Sequence, residues 1–267
     1  MKIYDCFIFN DEYHILDIRL NTLAKYVDYF VIIEFGETHQ GKRKKYKLNL
    51  NKFKKFKKKI KYFYIKKFKR NSSTWEKENF QRNSIIKGIQ DAQNNDIIMI
   101  SDVDEIPRLK GFNFKKVGDH VFAFNHIHYM YKLNLVRSYN WVGTKICSKK
   151  ILKSPQWLRS LKVHKKYSLL RLDKIFSKTY YPKFKIINNG GWHFGWIRTA
   201  SEIIKKINSY AHIEHNTSQF NNKNYINDCI KKKISFLNTK EKLIVDKKKN
   251  LPNYVKKNHK KFTKWII

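Results

Sequence analysis

The run Tyr29-Phe30-Val31-Ile32-Ile33-Glu34-Phe35 limits the fold more than any other stretch of the chain. It is near-continuously apolar, and a strand of that kind lies inside a sheet covered on both faces. Ile3 to Phe9 (IYDCFIF) is a second such run, rich in β-forming residues. Between them, Asn10-Asp11 offers a helix N-cap, and Ile15, Leu16, Leu20 and Leu23 recur at helical spacing. Strand–helix–strand with buried strands predicts an α/β fold with a mostly parallel sheet flanked by helices.

The pattern continues in the same sense. Gly36 to Lys42 is a loop punctuated by glycines. Within the Lys-rich run Lys52–Arg70, whose interleaved aromatics point to packing, Ile60 to Ile65 predicts a third strand. Trp75 to Gln93 predicts a helix with Phe80, Ile85, Ile86 and Ile89 inward, and Ile97 to Ile100 a buried strand. Beyond it Val121–Leu135 and Trp141–Ile151 alternate, as antiparallel strands do, and Ser168–Phe176 and Phe184–Ile187 predict more. Gly190-Gly191-Trp192-His193-Phe194 reads as a turn, and Thr199 or Ser201 as the cap of a helix running to about His212. From about Asn216 the chain is polar, Lys-rich and helical in patches, which divides it into a domain over 1–215 and a basic extension over 216–267.

The net charge of +37 raises the question of a polyanionic partner. Only nine of the 58 basic residues are Arg, leaving 58 − 9 = 49 Lys. Arg is the residue that forks onto phosphates and base edges, so nucleic acid is a poor fit. Drift toward Lys, Asn and Ile explains most of the excess, and peripheral contact with an anionic membrane is the remaining option. Three distant cysteines form no metal-binding or disulfide pattern. The first residues lack a leader's apolar core, and no apolar run reaches the roughly 18–20 residues that span a bilayer. The expectation is a cytoplasmic protein, at most peripheral to a membrane.

The strand Ile97–Ile100 leads into Ser101-Asp102-Val103-Asp104-Glu105-Ile106-Pro107. In open parallel sheets ligands bind at the carboxyl ends of strands. Two carboxylates two residues apart at such an end can share one hard cation, Mn²⁺ or Mg²⁺, that bridges to phosphate oxygens. A hydrated surface turn is the plainer reading. A metal-dependent nuclease or nucleotidyltransferase would use the same pair, but would want more Arg and a clear third acidic ligand. A non-enzymatic polyanion-binding module built on Lys52–Arg70 would leave the Asp-Val-Asp-Glu segment unexplained.

Several stretches, in order, resemble glycosyltransferase family 17, the family of the bisecting β-1,4-N-acetylglucosaminyltransferase. They are Phe7–Glu12, Leu16–Asn21, Val27–Glu34 with Thr38, Gly41 and Lys42, Trp75–Glu78 with Gln81-Arg82-Asn83, Ser101–Pro107, and Gly190–Phe194 leading to Lys206, Ser209, His212 and Glu214. The resemblance covers about residues 3–215. It implies an inverting transferase of GT-A-like, Rossmann-related fold with a smaller antiparallel acceptor-side part. It also implies a nucleotide-sugar donor (UDP-N-acetylglucosamine first), Mn²⁺ or Mg²⁺, and a glycan or glycoconjugate acceptor. On this footing Asp102 and Asp104 hold metal and diphosphate, and His193 is a further metal ligand or a packed histidine. Phe9, Asn10, Glu12, Arg19 and Glu34 fall where the nucleoside would sit. Arg82 pairs with the diphosphate or with Glu78 one turn away. Trp192 stacks on a sugar or fills the core, and His126 and His128, alternating on one strand, line the acceptor groove or are structural. Inversion needs a base for the acceptor hydroxyl, and the candidates are Glu202, then Glu214, with Glu105 at the acceptor side. For Glu202 a helix N-terminal role, and for Glu214 a solvated surface charge, are the plainer readings.

Overall fold

The computed structural model of the chain describes residues 1–38, 41, 43–44, 47–68, 72–162, 179–208, 217–247 and 250–267. The apolar runs become β1 (Ile3–Ile8), β2 (Tyr29–Phe35), β3 (Ile60–Ile65) and β4 (Ile97–Asp102), all parallel, in the order β3-β2-β1-β4. Alternate residues enter separate cores. Phe7, Phe30, Ile32 and Met99 face one side together with Leu16 and Leu20 of helix α1 (Tyr13–Leu23). Tyr4, Cys6, Val31, Ile33, Ile98 and Ile100 face the other, with Ile85 and Ile89. Burial on both faces is why these strands carry no polar alternation.

The remaining strands are β5 (Glu105–Pro107), β6 (Val121–Met130), β7 (Leu135–Ser148), β8 (Phe184–Gly195) and β9 (Ile244–Val245). They extend the same sheet as β4-β7-β6-β8-β5, with β9 alongside β7. The expectation of a mostly parallel sheet is therefore corrected: the sheet is mixed, with β4–β7, β6–β7, β5–β8 and β7–β9 antiparallel and β6–β8 parallel. The reason is connection length. Residues 131–134 join β6 to β7 as a hairpin, and a link that short permits only antiparallel pairing.

Two local expectations also change. Trp75–Gln93 is not one helix. Helix α2 (Thr74–Asn83), closed by a Ser73–Glu76 capping box, gives way to a 3₁₀ turn over Ser84–Gly88. Gly88 sits against β2 so closely that a Cβ there would lie 2.2 Å from Val31 Cγ1. The Gly190–Phe194 segment is not a turn but the inner part of β8. In the Lys-rich run, Phe53 and Phe56 are buried beneath a 3₁₀ helix over Leu50–Lys59. The predicted strand Ser168–Phe176 lies outside the described residues.

Helix α3 spans Pro155–Ser160 and helix α4 spans Ala200–Ile207, capped by Thr199. Helix α5 (Lys223–Lys232) packs beside α4 in a third cluster with Met130, Leu135 and Phe236. Helix α6 (Asn253–Lys257) returns to α1: Leu251, Val255 and Phe262 join the main core, and Tyr254 Oη donates to Asp17 Oδ2 at 3.0 Å. Trp265 stacks on His14 with centroids 4.8 Å apart. Among the described residues no helix is long and apolar enough to cross a membrane.

Candidate active site

The Asp-Val-Asp-Glu segment and the Gly-Gly-Trp-His-Phe segment, 85 residues apart in sequence, are zipped together. β5 runs against β8 with Glu105 opposite His193, Ile106 opposite Trp192 and Pro107 opposite Gly191. Phe194 N–H donates to Asp104 O at 2.8 Å. The glycines permit the approach. Gly191 has φ +149°, and a Cβ on it would meet Ile106 O at 2.2 Å; on Gly190 a Cβ would lie 2.8 Å from Phe124 Cβ.

Beneath the turn sits Arg19, an expected donor-binding residue that the structure places elsewhere. It is 0% exposed and cannot touch a donor. Its Nε and Nη2 grip Asp5 at 2.8 and 2.6 Å, and Nη2 also reaches Ser101 Oγ at 2.6 Å. Nη1 donates to the carbonyls of Asp102, Val103 and Glu105 at 3.0, 3.2 and 2.8 Å. Every donor of a fixed guanidinium fork is used, so Arg19 is a template for the turn.

The carboxylates above it divide. Glu105, also 0% exposed, is enclosed: Arg159 donates to both its oxygens at 2.8 Å, and Trp141 Nε1 donates to Oε1 at 2.8 Å. It faces no substrate space, so its place is that of a brace. Asp102, whose side chain is 40% exposed, receives Arg159 on Oδ2 at 2.9 Å and Arg82 on Oδ1 at 3.4 Å. Burial opposes its ionisation, but Arg159 and then Arg82 hold its carboxyl below the usual carboxylate range. Arg82 also pairs with Glu78 at 2.8 Å, the second of the two readings given to it. Asp104 faces His193 Nε2 at 3.7 Å and Lys206 Nζ at 3.9 Å. Against its burial, His193 and Lys206 hold it well below the usual range.

Arg159 was not foreseen. It comes from α3, whose start is marked in the sequence by Ser154-Pro155, an N-cap followed by proline at the first turn. That signal announces a helix but says nothing of what its arginine meets. The histidines gather on the same side. His128 stacks on His193 at 4.2 Å, and Trp141 on His193 at 4.3 Å. Among the described residues, both ring nitrogens of His126, Nε2 of His128 and Nδ1 of His193 are buried without a hydrogen-bond partner. Burial and then the neighbouring His193 push His128 down to about 2 and His126 well below its ordinary value, so both are neutral. Trp192 is packed under Arg108 and donates to Asn250 O.

A cavity of about 390 Å³ opens at the carboxyl ends of β1 and β2. Phe9, Asn10, Tyr13 and Glu34 line its inner side, and Arg198, Glu202 and Lys206 its outer side. Asp102 is registered beside Ile8, the last residue of β1 before Phe9 and Asn10. Glu34 is buried, accepting from Leu48 N–H at 2.8 Å and Tyr62 Oη at 2.6 Å. Glu12 lies just below, paired with Arg198 at 3.1 Å and Lys206 at 3.4 Å. Glu202 closes the capping box of α4, its Oε2 accepting from Thr199 N and Oγ1 at 2.8 and 2.7 Å. Glu214, Ser209, His212 and Lys42 lie outside the described residues.

Carboxylate and imidazole side by side, as in Asp104 and His193, suit Mn²⁺ as a donor set. Among the described residues no group of three or more His, Cys, Asp or Glu side chains closes on one metal position. Protein ligands alone therefore do not complete a shell; the set fits an ion that also takes oxygens from a phosphate-bearing ligand or water.

No curated protein matches the chain. The sequence profile described as glycosyltransferase family 17 matches residues 1–264, nearly the whole length. The chain therefore belongs to glycosyltransferase family 17 and is a glycosyltransferase.

Proposed function

We propose that the enzyme moves a sugar from a nucleoside diphosphate donor, UDP-N-acetylglucosamine first among them, onto a glycan hydroxyl with inversion, in a GT-A-like arrangement. The observation that carries this reading is that the cavity and the Asp-Val-Asp turn lie at the same end of the sheet, with Lys206 of the cavity wall 3.9 Å from Asp104. In the order β3-β2-β1-β4 the chain reverses direction of growth between β1 and β4. Ligands of open α/β sheets bind at such a switch point. Here the cavity opens at the β1 end and Asp102 stands on β4 beside it.

On this reading Asp104 and His193 hold a divalent cation, Mn²⁺ or Mg²⁺, and Asp102 stands beside it under the grip of Arg82 and Arg159. A bound cation neutralises the diphosphate and makes it a better leaving group. The cavity wall of Asn10, Tyr13 and Glu34 takes the nucleoside. The acceptor oxygen attacks the anomeric carbon as a base takes its proton, and the bond to the diphosphate breaks with its electron pair leaving on phosphate. We assign the base to Glu202, which stands in the cavity wall. Thr199 holds its carboxyl below the usual range against the effect of burial, so it is ionised and able to accept a proton at neutral pH.

Thermal unfolding with UDP plus Mn²⁺ against single-stranded DNA tests the class. Ligand at about 100 times its Kd adds about 2.7 kcal/mol. Stabilisation by UDP with Mn²⁺ is expected; stabilisation by DNA alone would overturn the reading. Hydrolysis assays across nucleotide sugars then name the donor.

A further inference from the structure

The cavity is lined by Arg43, Lys44, Lys47, Arg198, Lys205 and Lys206 against Asp11, Glu34 and Glu202, an excess of 6 − 3 = 3 positive charges. A cavity of that sign selects an anion. One of these cations is placed differently from the rest. Among the described residues, Lys206 alone of the six comes within 4 Å of Asp104, at 3.9 Å. The same ammonium lies 3.4 Å from Glu12 Oε1 and 5.2 Å over the Trp196 ring. Its side chain is mostly buried, so its position is fixed by these neighbours.

Glu12 is the organiser. Its Oε1 also takes Arg198 at 3.1 Å, while Oε2 accepts Asn10 N–H at 3.0 Å. One carboxylate thus joins the loop after β1 to Arg198 ahead of α4 and to Lys206 in its last turn, and holds Lys206 at the seam between cavity and Asp-Val-Asp turn.

We propose that Lys206, aimed by Glu12, is the ammonium that binds the terminal phosphate of a nucleoside diphosphate where the cavity meets Asp104. The inference rests on the nucleotide-sugar reading above and deepens it. A lysine suits this task as a compact charge with three donors, able to serve phosphate oxygens without a fixed fork.

The test compares di- with monophosphate. Binding of UDP, UMP, GDP and GMP is measured by calorimetry on the full chain, with Mn²⁺ and with EDTA. The wild type is expected to prefer one diphosphate to its monophosphate under both conditions. Lys206→Met should lose roughly 10–100-fold in diphosphate affinity while monophosphate affinity stays within about threefold. Lys206→Arg should recover most of the loss, and Glu12→Gln should fall between. A lysine that merely ties α4 to the β1 loop would weaken both nucleotides alike. An unchanged preference in Lys206→Met, or in Lys206→Gln should the first variant misfold, overturns the proposal. A wild type that binds none of the four nucleotides overturns the functional reading itself.

Discussion

Replacing Arg159 by Met isolates the part of the site that the sequence concealed. The guanidinium gives Glu105 two hydrogen bonds at 2.8 Å, Asp102 one at 2.9 Å and the Gly143 carbonyl one at 3.2 Å. The two carboxylates lose unequal amounts. Asp102 is only partly buried and keeps Arg82, so solvent screens its loss to about 0–1 kcal/mol. Glu105 has no solvent and would keep only Trp141 Nε1 and the Asp102 amide at 3.2 Å. A buried charge stripped of its partner costs about 3–5 kcal/mol, so Glu105 sets the size of the effect. For a chain of this length that is a fall in Tm of roughly 6–20 °C. Urea unfolding should show a lower midpoint with an unchanged slope. Adding Glu105→Gln should recover more than half of the loss, because the charge that needed the guanidinium is gone. A loss below about 1 kcal/mol in Arg159→Met, or no recovery in the double variant, would refute the account of Glu105 as a braced, enclosed carboxylate.

Asp104→Ala should lower kcat/KM by at least ~100-fold, about 2.7 kcal/mol of transition-state stabilisation, with Tm little changed; full activity would remove Asp104 from the site. Glu202→Gln should depress kcat with KM nearly constant, and an equal rise in KM with kcat intact would reassign it to donor binding. Gly191→Ala should destabilise by ~3 kcal/mol or more, because the methyl meets Ile106 O and the backbone must leave its present φ; a silent variant would show that β5 is not held against β8. Burial and then Arg159 push Lys145 down to about 7. Its folded value lies below the unfolded one, so its ionisation opposes folding at neutral pH, and the cost fades as pH rises from about 7 toward ~10.4. Wild type should therefore gain stability relative to Lys145→Met across that window, and parallel curves would contradict it.

The parallel half of the sheet was readable because burial on two faces leaves a plain mark: β2 and β3 fall on the runs Tyr29–Phe35 and Ile60–Ile65 without a residue's shift. In the mixed half the antiparallel character of β6 and β7 showed in their alternation, but the order of the strands did not, since pairing partners are chosen by connection length and register, which composition does not carry. The glycines misled twice. Gly190-Gly191 reads as a turn by its residue types, yet both are there to let β8 lie against its neighbours. Gly88 stands inside a helical pattern, yet it ends a 3₁₀ turn beyond α2, close against Val31. At the site, Asp104 and His193 lie side by side at 3.7 Å, while Asp102 is paired with Arg82 and Arg159 instead of closing on one position with them. Arg19 escaped because a buried arginine with a buried Asp5 resembles, in sequence, any helical surface arginine. Arg159 escaped because nothing local ties a six-residue helix to a turn more than 50 residues earlier.

The contact of α6 with α1 has a consequence for how the molecule is made. Asp17 waits for Tyr254 and Lys261, partners 237 and 244 residues downstream, and His14 for Trp265. During synthesis, at about 5–20 residues per second, the outer side of α1 stays uncovered until the segment around Tyr254–Trp265 has left the ribosome. Closure of so long a loop is slow, and the unfinished intermediate displays the apolar surface of α1 that Leu251, Val255 and Phe262 later join. Chaperone demand should therefore persist until residues 254–265 have emerged and covered α1.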